Sequence, residues 1–153
     1  MSSLLQAKAL LRQQIKHALK ELTEQEKELQ SKIILQKVLS SEIYKASQRI
    51  SIFLPMKDEV NTLPILKSMF DAGGLDLIFM PGLAFSRNGA RLGRGKGYYD
   101  KYLQQCLQAG THPKTVALIF KEQLVNHIPT LEHDKFVDQV IFPTSEEINA
   151  IKT

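Results

Sequence analysis

The chain has 153 residues, 43% of them hydrophobic and 24% charged, the proportions of one globular domain with a full core. A net charge of +4 suits an anionic ligand and falls short of the excess carried by a dedicated nucleic-acid binder. The single cysteine, Cys106, excludes an intrachain disulfide, offers no Cys-based zinc site, and fits a reducing compartment.

In chain order, Leu4, Leu11, Ile15, Ala18 and Leu22 recur at helical spacing and predict an amphipathic helix, with Lys8, Arg12, Lys16 and Lys20 as a basic stripe on it. This start lacks the apolar run and cleavage site of a secretory signal. A mitochondrial presequence is disfavoured by Glu21, Glu24, Glu26 and Glu28. No run approaches the ~18 apolar residues of a membrane span, so the reading is a soluble, cytoplasmic protein. Thr23-x-x-Glu26 predicts a capping box opening a second helix, with Leu29, Ile33 and Ile34 on its inner face. "RISIFLP" predicts a short strand stopped by Pro55, followed by a loop, "MKDEVN". A third helix is expected from a cap at Asn61 or Thr62 to Gly73-Gly74. "LDLIFMP" predicts a strand buried on both faces, as in a parallel sheet. A helix is expected from Tyr98 to Gly110, with Tyr99, Leu103, Cys106 and Leu107 inward. A strand "KTVALIF", a helical turn "KEQLV", a loop around "PTLEHD", a strand "FVDQVIFP" and a terminal helical stub "TSEEINAIK" complete the chain. The alternation predicts one α/β domain whose mostly parallel sheet is flanked by helices, without a linker or internal repeat.

Within the segment "FSRNGARLGRGKGYYDKYL", Phe85 to Leu103, the four cations Arg87, Arg91, Arg94 and Lys96 share a short run with four glycines, after a buried strand and before a helix. In α/β sheets, ligands bind at the carboxyl ends of the strands, and helix N-termini favour anions. Gly93, Gly95 and Gly97 allow close backbone approach, while Arg94 and Lys96 add full charges, so a phosphate-holding loop is favoured. A solvated turn and an RNA contact remain as alternatives. The segment is neither a Walker A loop, because Gly97 follows Lys96, nor a dinucleotide-binding fingerprint. Asp100 is the nearest candidate metal ligand; Tyr99 reads as core, and Tyr98 is freer to stack on a ligand ring.

At this segment the sequence closely resembles the 5-formyltetrahydrofolate cyclo-ligase family, also called 5,10-methenyltetrahydrofolate synthetases. The resemblance is carried by "LIFMPGLAFSRNGARLGRGKGYYDKYL" and above all by "RLGRGKGYYD". It extends to "AKALLRQQIK", "RISIFLPMKDEV" and "LEHDKFVDQVI", and so covers nearly the whole chain. It implies a CoA-transferase-like α/β architecture with nucleotide at the carboxyl ends of the strands. It implies MgATP and 5-formyltetrahydrofolate, free or polyglutamylated, as the small-molecule partners of a monomer, with no nucleic acid or membrane involved. In the implied reaction the formyl oxygen attacks the γ-phosphate, N10 closes onto the activated carbon, and phosphate leaves. Such a step needs charge neutralisation and positioning more than a protein nucleophile.

Carried over by motif, Lys8, Arg12 and the run Arg91, Leu92, Gly93, Arg94, Gly95, Lys96, Gly97, Tyr98 and Tyr99 would hold ATP. Leu54, Glu59 and Arg94 through Tyr98 would face the folate, and Arg94 and Lys96 would serve the phosphoryl transfer. Asp100 and Asp134 match the family's metal positions, although Asp134 taken alone reads as a solvated loop acid. His17, His112, His127, His133 and Cys106 match no functional position. The sequence departs from the family at Gly73-Gly74, where "ILKSMFDAG" runs straight into "GLDLIFMPG". A block that normally supplies a short strand and part of the folate pocket is missing there. Two functions follow: the cyclo-ligase itself, or a shortened non-catalytic variant that keeps partial nucleotide binding.

Overall fold

The computed structural model describes residues 2–48, 50–51, 53, 58–62, 64–65, 76–95, 98–108 and 112–153. Helix α1 runs from Ser2 to Glu21 and buries Ile15 and Leu19, with Leu11 and Leu22 packed at the margin of the core. The predicted basic stripe divides in two, for Lys16 and Lys20 are exposed whereas Lys8 and Arg12 are half-buried.

Helix α2, Glu24–Ser40, opens on the predicted capping box. The Glu26 amide donates to the Thr23 hydroxyl at 3.2 Å, and the Thr23 amide donates to the Glu26 carboxylate at 2.9 Å. Such a cap stabilises a helix by about 1 kcal/mol. The inner face of α2 departs from expectation: Ile33, Ile34 and Val38 are buried, but so are Lys27, Gln30 and Ser31, while Leu29 is half-buried. A short helix α3, Glu42–Ala46, capped by the Ser41 side chain on the Tyr44 amide, was not anticipated.

Four parallel strands follow in the order β1 (Ile50–Ser51), β2 (Leu77–Met80), β5 (Lys114–Leu118) and β7 (Gln139–Ile141). Side-chain alternation splits the core across this sheet. Leu77, Phe79, Val116 and Leu118 face α1 and α2, in the cluster of Ile15, Leu19, Ile34 and Val38. Ile78, Met80 and Ala117 face Leu103 of helix α4, Tyr98–Gln108. The expectation of a strand buried on both faces thus holds for β2. The termini of helix α5, Ser145–Lys152, include a second capping box, Thr144 with Glu147.

A second, three-stranded sheet was missed. Strand β3 (Ala84–Ser86) pairs antiparallel with β4 (Arg91–Leu92) and parallel with β6 (Leu124–Val125). The predicted helical turn is accordingly a 3₁₀ turn over Lys121–Gln123 that passes into a strand. Of the expected third helix, Pro64 and Ile65 are helical, Asn61 and Thr62 precede it with the Thr62 hydroxyl donating to Phe53 O at 2.7 Å, and residues 63 and 66–75 lie outside the described residues. No helix among the described residues is long and apolar enough to cross a membrane.

Candidate active site

The chain leaves β2 at Met80 and turns into the β3–β4 hairpin, so the glycine segment lies at the carboxyl end of a central parallel strand, as expected. Its first part is strand rather than loop: Leu83 N–H donates to Leu92 O at 2.8 Å and Ser86 N–H to Ala90 O at 3.0 Å. The turn between them needs Gly89, whose φ is +94°, a conformation that side chains disfavour. The Gly89 carbonyl accepts the Val137 amide at 2.9 Å, and a methyl group here would overlap the Val137 carbonyl oxygen. The hairpin tip is therefore closed tightly on the segment that carries Asp134. Leu92, expected near ATP, faces inward on β4 and buries its side chain in the core.

Arg91 is tightly constrained. Its side chain is 10% exposed and 4.0 Å from the Asp100 carboxylate, its Nε donates to Pro81 O at 2.8 Å, and its guanidinium lies 5.3 Å from the centre of the Tyr99 ring. Burial pulls its pKa down against the opposing pull of Asp100, yet a guanidinium stays charged. Burial likewise pushes the Tyr99 phenol up, Arg91 opposing and Glu59 reinforcing the shift. Tyr99 is half-buried against the Leu103 cluster, which fits the core reading. Gly93 follows directly: a methyl group there would stand 3.2 Å from the Arg91 guanidinium nitrogens.

Helix α1 brings the other cations. Arg12 Nε donates to Gly93 O at 3.0 Å, so Gly93 lies between two guanidinium groups, and Gly95 also faces Arg12. One turn earlier, Lys8 Nζ donates to Asp134 Oδ2 at 2.9 Å, and the same oxygen accepts the Leu131 amide at 2.8 Å. Asp134 is thus no free loop acid. Burial alone would push its carboxyl up, but the Leu131 amide and Lys8 outweigh this and hold it below its ordinary range. A depressed carboxyl contributes stability above its unfolded pKa and loses it as pH falls through the folded value. Asp134→Asn is therefore expected to lower stability by about 1 kcal/mol at neutral pH and by nothing once the pH is well below ~4. Denaturation curves at both pH values check this; an equal loss at both would overturn it.

Arg94 completes the cluster, its Nη2 donating to Glu59 Oε1 at 3.3 Å, with the Glu59 side chain only 7% exposed. Leu54, Lys96 and Gly97 lie outside the described residues, and Tyr98 opens α4 without a described side chain. The structure therefore gathers Lys8, Arg12, Arg91, Gly93, Arg94, Gly95, Tyr99, Asp100, Glu59 and Asp134, from four separate stretches of chain, into one connected site. Magnesium takes oxygen ligands and commonly only one or two carboxylates beside water and phosphate. Asp100 fits that demand, being 39% exposed with only a long contact to Arg91, whereas one oxygen of Asp134 is already engaged by Lys8. No group of three His, Cys, Asp or Glu side chains suited to a metal occurs among the described residues.

Comparison with known proteins identifies the family. The family model described as the 5-formyltetrahydrofolate cyclo-ligase family matches in two segments, residues 5–75 and 71–143. The mouse 5-formyltetrahydrofolate cyclo-ligase is 38% identical over 192 aligned positions, covering 91% of this chain and 95% of the mouse protein. Two solved structures share the fold at 23% identity each. The NMR structure of Aquifex aeolicus 5,10-methenyltetrahydrofolate synthetase has a TM-score of 0.74 and covers 87% of this chain and 88% of that one. A 5,10-methenyltetrahydrofolate synthetase from Mycoplasma pneumoniae has a TM-score of 0.72, covering 88% and 98%. With matches to the family model on both sides of the chain's midpoint and a relative at this identity over nearly its whole length, the chain belongs to the 5-formyltetrahydrofolate cyclo-ligase family.

Proposed function

We propose that this chain converts 5-formyltetrahydrofolate to 5,10-methenyltetrahydrofolate, the γ-phosphoryl group of ATP passing to the formyl oxygen and leaving with it as phosphate, with release of ADP. The observation that carries the reading is the docking of α1 onto the glycine segment through Arg12 and Gly93, beside Arg91 and Arg94. It supports a receptor for a polyphosphate whose charges are set before the ligand arrives, which is the economical way to stabilise a phosphoryl transfer. In this reading Lys8, Arg12 and Arg91 bind the phosphates, and Arg94, with Lys96 beside it in sequence, faces the transferring group. Glu59 and Leu54 contact the folate. A magnesium ion, held by Asp100 with Asp134, would supply charge neutralisation at the phosphate oxygens. Each of three predicted ligand-binding cations has a predicted ligand-binding carboxylate as neighbour: Lys8 with Asp134, Arg91 with Asp100, Arg94 with Glu59. Arg12, whose guanidinium donates to a backbone carbonyl, and Lys96 add positive charge beyond these pairs, so the ligand-free site keeps a net positive charge, and loading it exchanges protein ion pairs for ligand ones.

A second reading has its own support. The alignment to the mouse protein, 192 positions, is longer than the 153 residues of this chain, and the two family-model segments meet at 71–75, around Gly73-Gly74. We infer that an internal block is absent there, with loss of part of the folate pocket, which would leave a nucleotide-binding variant without turnover. Neither reading requires a change to Lys8, Arg12, Arg91 or Arg94, the cations assigned here to the polyphosphate. Purified protein mixed with 5-formyltetrahydrofolate and MgATP is expected to gain the absorbance of the methenyl product. Folded protein that binds ATP and makes no product would sink the first reading and leave the second.

A further inference from the structure

Lys27, Gln30 and Ser31 are buried polar residues on one face of α2. Burying an ammonium is costly unless it is paired. The Lys27 side chain is 9% exposed, and its Nζ donates to Asp58 Oδ1 at 3.1 Å and to Glu24 Oε1 at 3.3 Å. Burial would lower its pKa, but the two carboxylates outweigh this and raise it, so the group is charged. One helical turn on, the Ser31 hydroxyl accepts the Asn61 amide at 3.1 Å. The two partners, Asp58 and Asn61, bracket Glu59 and Val60, and Val60 is itself 1% exposed in the core. The short loop is therefore fixed at three successive points, and the carboxylate between them is directed at Arg94. Gln30 ties the same helix face to the other side of the site: it accepts the Lys121 amide at 2.7 Å, and Gln123 in the same 3₁₀ turn donates to Gly82 O at 3.0 Å. Pro81, whose carbonyl receives Arg91, is the adjoining residue.

We infer that Lys27 and Ser31 are positioning residues for Glu59, and that they set the affinity for the reduced folate from behind the site. This rests on the folate reading of Glu59 given above. A long buried lysine at a core-facing position is a poor choice for packing alone; its worth lies in holding Asp58, and with it the direction of the neighbouring carboxylate. A displaced Glu59 would cost the folate a contact while leaving the phosphate cations of α1 and β4 in place.

The test measures binding of 5-formyltetrahydrofolate and of ATP separately, by calorimetry, on folded protein. Lys27→Met is expected to weaken folate binding roughly tenfold, the scale of one charge-assisted hydrogen bond, without weakening ATP binding. Lys27→Arg should restore most of the loss. Unchanged folate affinity in Lys27→Met overturns the assignment, and so does an equal loss for both ligands, which is the mark of a merely structural residue. If Lys27→Met does not fold, Asp58→Asn and Ser31→Ala carry the same comparison with the same outcomes. Wild-type protein that binds no folate overturns the proposed activity and this assignment together; wild-type binding matched by the variants overturns this assignment alone.

Discussion

Gly89→Ala is expected to lower stability by about 3–5 kcal/mol, the upper range for a single substitution. Two costs add. A side chain at φ +94° is strained, by roughly 1–2 kcal/mol for a left-handed backbone. The new methyl group would also overlap the Val137 carbonyl oxygen, and the atom in the way is backbone, which cannot swing aside like a flexible side chain. Relief requires the hairpin tip to part from residue 137, breaking the 2.9 Å hydrogen bond from the Val137 amide to Gly89 O. Asp134 lies three residues before Val137, so the contact of Lys8 with Asp134 should loosen as well. Urea denaturation measures the first effect and nucleotide affinity the second. A denaturation midpoint unchanged by the methyl group would overturn the account of the clamp.

Arg91→Lys is expected to weaken ATP binding by roughly tenfold to a hundredfold although the charge is kept. If the site worked by net charge alone, this change would be nearly silent. The structure uses the shape of the guanidinium. Its Nε is committed to Pro81 O, its face lies over Tyr99, and its terminal nitrogens remain on the side of Asp100 and Gly93. A lysine ammonium cannot occupy the first position and reach the last at once. Calorimetric titration with ATP, compared with a denaturation curve, separates lost binding from lost folding. Wild-type affinity in the lysine variant would show that Arg91 is a structural strut only.

The parts of the fold legible in the sequence are those set by local signals. Thr23-x-x-Glu26 marks the start of α2 because both reciprocal hydrogen bonds are made within four residues. The unbroken apolar run of β2 marks a strand with two covered faces. What escaped depends on distant partners. Arg91–Leu92 and Leu124–Val125 are strands of two residues, too short to show alternation, and they exist because both pair with β3. The burial of Lys27 is likewise invisible without Asp58, 31 residues away. In the site, the resemblance supplied the identities of Arg94 and Glu59 but not their mutual ion pair, which joins residues 35 apart. A hint of the polar face of α2 was present all the same, in the spacing of Lys27, Gln30 and Ser31 on the side shared with Ile34.

Helix α1 has two unequal halves. Ile15 and Leu19 anchor the second half in the core, whereas toward the first turns Leu5 and Leu10 are 63% and 57% exposed, and the hold there is by Lys8 and Arg12 with Leu11 at the core margin. The first turns are therefore expected to open at lower cost than the second half, which is packed into the core. An anion that engages both cations in the docked helix would raise the cost of that opening by mass action. The fraying of a surface helix would then become a gauge of how full the proposed site is, read some eighty residues away in sequence from the glycine segment that Arg12 touches.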